Sequence, residues 1–435
     1  MRGYKIIRSI LIIKFLFLAI ITNGQVVIDG QFRTKFEMRD GYKTLIPKGA
    51  NATYLATQRT RLNFKYSWEK LITQFSIQDV RIWGDNDYKS DVPVIGVHEA
   101  WGEILLSEAF SIKIGRQELR YDDERLLSYR NWNDVGASHD LALFKYKKNS
   151  FDAHFGFAYN NQKSDNYLTS YTLNYYKAMG FLWLSKAYSN GFKISGIAIG
   201  DGYQKDNSVD TVFVRYTYGG NVSYESKESK IGYYGTFYYQ SGEDNLGKTI
   251  NANFFSSKFS YKISDKLSLT AGIDYFSGND AFSDPETNNA FSKLYGIGHK
   301  YYGYMDYFTE IETHTKGGGL MDIFISAKLK FNEKSNLELA YHNFSFTNNV
   351  IDPESDPLNP VAADKQLGSE LDLLYNYKYS KIIDFKFGYS TMFATKSMEI
   401  IKNGSRDRFL NWAWVMVTLN PVFYKQNDVS DKSDN

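Results

Sequence analysis

Between Gln58 and Trp68 the chain reads QRTRLNFKYSW, and apolar and polar positions alternate. Leu62, Phe64, Tyr66 and Trp68 share one parity; Arg59, Arg61, Asn63 and Lys65 share the other. Successive side chains of a β-strand leave on opposite faces, so this segment predicts a strand with one aromatic face and one face carrying three cations. In a soluble sandwich the apolar face would meet a second sheet. In an outer-membrane barrel it meets lipid, and the polar face lines a lumen. The alternation recurs. Phe32, Thr34, Phe36 and Met38 oppose Arg33, Lys35, Glu37 and Arg39. Phe151, Ala153, Phe155, Phe157 and Tyr159 oppose Asp152, His154, Gly156 and Ala158. Leu267, Leu269, Ala271, Ile273 and Tyr275 oppose Ser268, Thr270, Gly272 and Asp274. A last strand from Leu410 to Val417 carries Trp412, Trp414 and Met416 on one side. Each run approaches the roughly ten residues that a tilted strand needs to cross lipid.

The breaks between runs supply a strand count. Short polar turns are expected near residues 68–70, 107–108, 148–149, 189–191, 227–229, 264–266, 332–334 and 380–381. Between them lie longer hydrophilic stretches: 40–53, 84–95, 117–138, 160–168, 200–210, 241–249, 277–317, 346–367 and 394–408. Eight short turns and nine long loops make seventeen connections, and therefore about 18 strands. An even count with short turns on one rim and long loops on the other predicts an all-β fold: one transmembrane antiparallel β-barrel with short periplasmic turns and long extracellular loops. At that size a barrel leaves an aqueous channel. A multi-domain soluble β-protein is the competing architecture, but its loops would not alternate short and long so regularly.

Composition narrows the picture further. Tyr 35 and Phe 31 with only 7 Pro suit long unbroken strands. Mean hydropathy is −0.43, which excludes a bundle of membrane helices. The absence of Cys excludes disulfides, thiolate metal sites and a cysteine nucleophile. Arg2, Lys5 and Arg8 precede an apolar run from Ile10 to Ile21, and Thr22-Asn23-Gly24 offers small residues for cleavage, so residues 1–24 are expected to be a signal peptide. The barrel is expected over 25–424 and a polar tail over 425–435. Beyond residue 24 there are 47 bases (51 − 4) against 49 acids, a formal −2, so a preference for one sign of solute has to come from where the charges sit.

Arginine placement is uneven. Of twelve arginines beyond residue 24, nine lie between Arg33 and Arg130; only Arg215, Arg406 and Arg408 follow. The planar guanidinium grips carboxylate at two points and tolerates partial desolvation. Arg59 and Arg61 share a strand face, with Arg33 and Lys35 expected across the ladder. Like charges so placed repel and require an offset. Glu37, Asp79, Asp123 or Glu124 are candidates, as is a passing polyanion. Two readings coexist: a basic constriction selecting anions, or an internal salt-bridge network stiffening the wall. On strand parity Arg116 shares the face of Ile112 and Ile114 unless a bulge at Gly115 turns it inward, and Arg81 has the same relation to Phe75 and Ile77.

Enzyme chemistry is not expected. His98, His139, His154, His299, His314 and His342 lack metal-ligand spacing, and no serine-hydrolase or zinc-protease motif occurs. Gly317-Gly318-Gly319 lacks a phosphate-binding context and is expected to bend a strand end. Asp201, Asp206 and Asp210 in DGYQKDNSVD offer carboxylates to a loop calcium ion, but a hydrated acidic loop suits that spacing better, and no other cofactor is expected. Nucleic acid is not an expected partner.

Two stretches go beyond pattern. Residues 99–146 and 290–308 resemble the alginate-export family of outer-membrane porins. The matches are Gly115-Arg116-Gln117, Arg125-Leu126, Asn131-Trp132 with Asp140 following, Gly298-His299-Lys300, and Gly303-Tyr304-Met305-Asp306. QRTRLNFKY near the start and LGSELDLLYNYKYS with FGYSTMF near the end look like the same family. The resemblance implies a monomeric eighteen-stranded barrel in the outer-membrane lipid, passing an anionic polysaccharide or its fragments through an arginine- and lysine-lined lumen, with a periplasmic export partner as a further expectation. It carries the lining role to Arg59, Arg61 and Arg116, with Arg81 and Arg125. Pattern adds Arg33, Lys35 and Lys65. A general diffusion porin without a charge filter and a barrel-embedded hydrolase or adhesin are the alternatives.

Overall fold

The computed structural model describes residues 24–426 apart from 88, 90–93, 168–170, 172–174, 206–210 and 284–285. The expected signal peptide and nearly all of the expected tail lie outside these residues, as do Asp206 and Asp210. The alternating segments form wall strands: β1 (Gln25–Asp40), β2 (Thr53–Trp68), β3 (Leu71–Ile82), β4 (Ile95–Leu105), β5 (Phe110–Gln117), β6 (His139–Lys148), β7 (Phe151–Tyr159), β8 (Ala178–Ala187) and β9 (Phe192–Gln204). The wall continues with β10 (Val212–Tyr224), β11 (Ile231–Gly242), β13 (Ala252–Lys262), β14 (Leu267–Phe276), β16 (Leu320–Asn332), β17 (Ser335–Ser345), β18 (Gln366–Lys378), β19 (Ile383–Ala394) and β20 (Leu410–Leu419). Two short segments, β12 (Thr249–Ile250) and β15 (Thr287–Asn288), pair in parallel within the loops. A final segment, β21 (Val422–Lys425), extends β20 along β1, with Tyr424 opposite Ile28. Each wall strand pairs antiparallel with its sequence neighbour, and β1 pairs with both β2 and β20, so eighteen strands close into a barrel. All seventeen connections fall at the polar breaks, though the loop after β7 extends beyond residue 168 to the start of β8, and residues 200–204, expected in a loop, belong to β9.

Parity assigns the faces. Phe64, Phe75, Phe155, Phe157, Leu182, Ile323 and Ile325 are exposed on the outer surface, where hydrocarbon covers them. The opposite parity carries Arg33, Arg59, Ser76, Ser195, Asp274 and Asp322, which are buried inside.

The interior differs from a water-filled bore. Two long loops, 118–138 and 277–319, fold into the barrel and bring apolar side chains with them. Leu119, Tyr121, Leu126, Leu127, Phe291, Tyr302, Met305 and Phe308 form one buried cluster with wall residues Phe181, Trp183, Phe254, Phe276 and Phe344. The last strand belongs to this interior. Trp412, Trp414 and Met416 are buried and lie opposite Arg39, Glu37 and Lys35 of β1, so the tryptophans face inward while Ala413, Val415 and Val417 face lipid. Alternation identifies two faces but does not say which is outer when both are apolar. The glycine run starts β16 as expected: Gly317 and Gly319 have φ of +81° and +69°, turning the second loop back into the wall.

The face assignment has a direct consequence. Ile325→Arg places a cation in hydrocarbon and is expected to lower stability in lipid vesicles by about 2–4 kcal/mol. Ser326→Arg, one residue on and facing a lumenal cavity, is expected to lower it by less than half as much. Denaturant unfolding of both variants checks this, and equal losses would mean that the two faces are not so divided.

Candidate functional site: the loop plug and the lumenal lysines

Arg33 and Arg59 stand directly opposite each other on β1 and β2, two guanidiniums on one lumenal face. Loop 118–138 resolves the repulsion. Arg33 donates to the carbonyls of Asn131 (2.6 Å), Trp132 (3.2 Å) and Asn133 (3.1 Å), and to Asp134 Oδ1 (2.7 Å). Arg59 donates to Asn131 Oδ1 at 2.7 Å and to Gln31. Arg61 donates to Gln78 Oε1 at 2.8 Å and lies 3.5 Å from Glu118; Gln78 in turn donates to the Val135 carbonyl at 2.8 Å. The loop's carbonyls therefore take up most of the charge, with Asp134 as the one acid on Arg33 among the described residues. Of the acids expected to offset this cluster, Glu37 does so at Lys35, and the others are engaged elsewhere. Glu37 holds Lys35 (3.1 Å) and Arg39 (3.0 Å), Asp79 holds Arg81, Asp123 holds Arg125, and Glu124 holds Arg120.

Trp132 is the pivot. Lys35 Nζ sits 4.5 Å above its ring, His299 stacks on it at 3.7 Å, and Trp412 and Trp414 meet it edge-on. His299 bonds Asp306 at 2.7 Å, and Tyr42 also donates to Asp306. The Met305 N–H donates to Glu370 Oε1 of β18 at 2.7 Å. Gly303 has φ of +80°, and a Cβ there would lie 2.6 Å from the Glu370 carboxyl, so only glycine passes. Arg125 ties the two loops to the wall: it bonds Asp123, Tyr302 Oη (2.5 Å) and Asp274 (2.8 Å) under the ring of Tyr301. The quoted sequence motifs thus converge on one place, the junction where both loops meet inside the barrel.

The remaining expected residues lie apart from it. Arg81 stays on the parity of Phe75 and Ile77 and pairs with Asp79 at 2.7 Å, so it is on the outer face and not in the lumen. The ladder runs through Gly115 without a register shift, so Arg116 keeps the parity of Ile114, at the rim, 3.0 Å from Asp140. It borders an outer cavity of about 730 Å³ that also meets His139, Tyr175, Tyr295, Glu243, Asp244 and Glu312. Asp201 is inside β9, gripped by Arg215 at 2.6 Å and by Tyr295 Oη at 2.8 Å.

Towards the short-turn end of the wall, lysines are open to the bore. Lys65 (β2), Lys113 (β5), Lys145 (β6), Lys193 (β9), Lys258 (β13), Lys328 (β16) and Lys386 (β19) share the inward parity of their strands, and each stands within four residues of its short-turn end. They come from all round the barrel and make a band near the periplasmic mouth. None is buried, whereas Arg33, Arg59 and Arg125 are. Lys145 and Lys328 are paired with Glu103 and Glu338, each at 2.6 Å. The other five make no ion pair among the described residues. Lys113, Lys193 and Lys258 instead lie over Trp101 (3.8 Å), Trp183 (5.8 Å) and Tyr234 (5.2 Å). Of the residues expected to line the lumen, Lys65 alone belongs to this band. The other six lysines were marked only by parity with outward aromatics.

A closed antiparallel barrel with a lipid-facing outside, short turns on one rim and a charged lumen is an outer-membrane channel. The chain belongs to the alginate export family, whose model matches residues 26–399. No curated protein matches it. Among solved structures it is similar to Acinetobacter baumannii OccAB1, at 12% identity over 92% of this chain and 97% of that one, with a TM-score of 0.62. It is also similar to Pseudomonas aeruginosa OccK9 (OpdG), at 10% identity, 92% and 98% coverage and a TM-score of 0.61. Pseudomonas aeruginosa OpdK, solved with vanillate, matches at 10% identity, 92% and 99% coverage and a TM-score of 0.59. At these identities the likeness is one of fold.

Burial pushes the Asp134 carboxyl up, but Lys35 and Arg33 outweigh it and hold the group below its ordinary 3.8. A depressed acid contributes stability that is complete above the ordinary value and is lost as pH falls through the lower one. Docking of loop 118–138 is therefore expected to weaken below about pH 4. Arg33→Ala is expected to cost on the order of 3 kcal/mol of docking at neutral pH. Hydrogen exchange of the loop amides reads both effects; a loop equally protected at pH 7 and pH 3 would exclude the acid limb.

Proposed function

We propose that the barrel passes an anionic polysaccharide or oligosaccharide of the uronate kind, with the lysine band selecting for negative charge and the arginines of β1 and β2 holding the plug in place. The observation that carries this reading is the contrast in exposure: lumenal lysines stand open to water while Arg33 and Arg59 are spent on loop 118–138. Rings of basic side chains raise the local concentration of anions in a low-dielectric bore without binding any one of them irreversibly. Lysine ammoniums on flexible stems suit a passing carboxylate better than fixed forks do, since they release it as readily as they take it. Membership of the alginate export family supports the acidic sugar as cargo. A general diffusion porin without a charge filter is the rival, and it predicts equal passage of neutral and acidic sugars.

The triple variant Lys65→Glu, Lys193→Glu, Lys386→Glu separates the two. In planar bilayers the native channel is expected to favour chloride over potassium, and the variant is expected to reverse that preference. The bias is expected to fade as salt rises from 0.01 M to 1 M, where the screening length shrinks from about 30 Å to about 3 Å. An unbiased native channel would leave the diffusion porin as the answer.

A further inference from the structure

Beneath the plug, on the periplasmic side, a second cavity of about 470 Å³ opens between β13, β14, β16, β17 and β18. Its acids are nearly all engaged. Asp274 is held by Arg125 at 2.8 Å, Asp322 by His342 at 2.9 Å, and Glu338 by Lys328 at 2.6 Å. Asp372 accepts from Ser390 and from the Tyr304 N–H. Two cations are not so engaged. Lys258 lies over the Tyr234 ring and makes no ion pair among the described residues. Lys300, half exposed, has a carbonyl at 3.3 Å, Glu124 at the longer distance of 3.6 Å and the Tyr301 ring at 5.5 Å. Tyr301 and Tyr304, partly buried, border the same space, and Thr270 and Ser326 add hydroxyls from the wall.

We propose that this cavity is a binding site for one monoanionic pyranose residue, with Lys258 and Lys300 taking its carboxylate, Tyr301 and Tyr304 lying along a ring face, and Thr270 and Ser326 meeting its hydroxyls. The chemistry converges from separate observations. The volume is in the range of small-ligand pockets and suits a sugar unit. Of the cavity's cations, Lys258 has no acid within ion-pair reach among the described residues and Lys300 has Glu124 only at 3.6 Å. Aromatic faces beside hydroxyls fit a ring with one apolar side and a polar rim. A neutral sugar would leave the Lys258 ammonium without an acidic partner, and a small inorganic anion would make no use of the tyrosine rings. The site rests on the channel reading above and adds to it. Lys258 also belongs to the lysine band, whereas Lys300 and Tyr304 sit on loop 277–319, so a saccharide held here touches both the wall and the plug. Such a solute is retained at the foot of the plug before it moves on.

Single-channel recordings with sodium glucuronate and with glucose test this. In the native protein glucuronate is expected to produce longer blockades than glucose. Lys300→Ala is expected to shorten the glucuronate blockades about tenfold, with Tyr304→Ala shortening blockades by both sugars. Lys300→Arg is expected to restore most of the glucuronate residence, and heat-modifiable migration on gels confirms that each variant has folded. An anion-selective native channel in which glucuronate and glucose block alike, or in which Lys300→Ala changes nothing, overturns the site and leaves the channel reading standing. A native channel without anion preference removes the channel reading and the site with it.

Discussion

Everything in this molecule depends on backbone hydrogen bonds that have nowhere else to go. In hydrocarbon no water is available to an unpaired N–H or C=O, and each orphan costs several kcal/mol. The only sheet with no such edge is one that closes on itself. Here β1 carries the burden of closure, since it pairs along its length with β2 on one side and with β20 and β21 on the other. Once the ring is closed, side-chain parity is no longer free. A one-residue slip would turn Leu62 and Phe64 inward and Arg59 and Arg61 into lipid. The lumen's chemistry is therefore inherited from the register of the wall.

Closure at eighteen strands creates a second problem, which is an interior too wide for wall side chains to fill. Loops 118–138 and 277–319 occupy the space. A loop carries unpaired backbone groups into a partly dry interior, and these must be met. Arg33 and Arg59 do this. They are two like charges set opposite each other, unfavourable by themselves, and they become favourable by donating to the carbonyls and amide of residues 131–134. Their mutual repulsion and the loop's unsatisfied acceptors cancel. The acid side works the same way in mirror image, with Glu370 accepting from the Met305 backbone.

Most of the wall was legible in the sequence because the period of two and the short-long rhythm of the connections are local properties. The strand count, closure and lipid face follow from them. The inside was less legible. Arg33, Arg59 and Arg61 share one face as grouped, but the loop partners of Arg33 and Arg59 sit 98 and 72 residues away, and no local pattern reports a contact of that span. Trp412 and Trp414 look like lipid-belt residues because aromaticity marks both a membrane interface and a packed plug. Lys113, Lys193 and Lys386 look like ordinary polar positions of amphipathic strands. Their shared height becomes visible only when strands from all round the wall are aligned on their short-turn ends.

That alignment gives the bore a polarity along its axis. The outer cavity is bordered by five acids, Asp140, Glu243, Asp244, Glu310 and Glu312, against Arg116, Arg130 and Arg215, while the opposite end carries the lysine band, in which Lys145 and Lys328 are neutralised by glutamates. Arginine does not contribute much to this field, because Arg33 and Arg125 are buried and paired. On the function proposed above, an anion is held more favourably by the lysine band at the periplasmic end than beyond the plug. A static field of this kind cannot set the direction of passive movement, since the same energy is gained entering from one side and lost leaving towards the other. It sets where an anion dwells. Under the proposed function, charge gathers the solute on the periplasmic side of the plug, and the contacts around Trp132 hold the plug against it. On that proposal, selection and plug retention fall to different cations, exposed lysines for the first and buried arginines for the second.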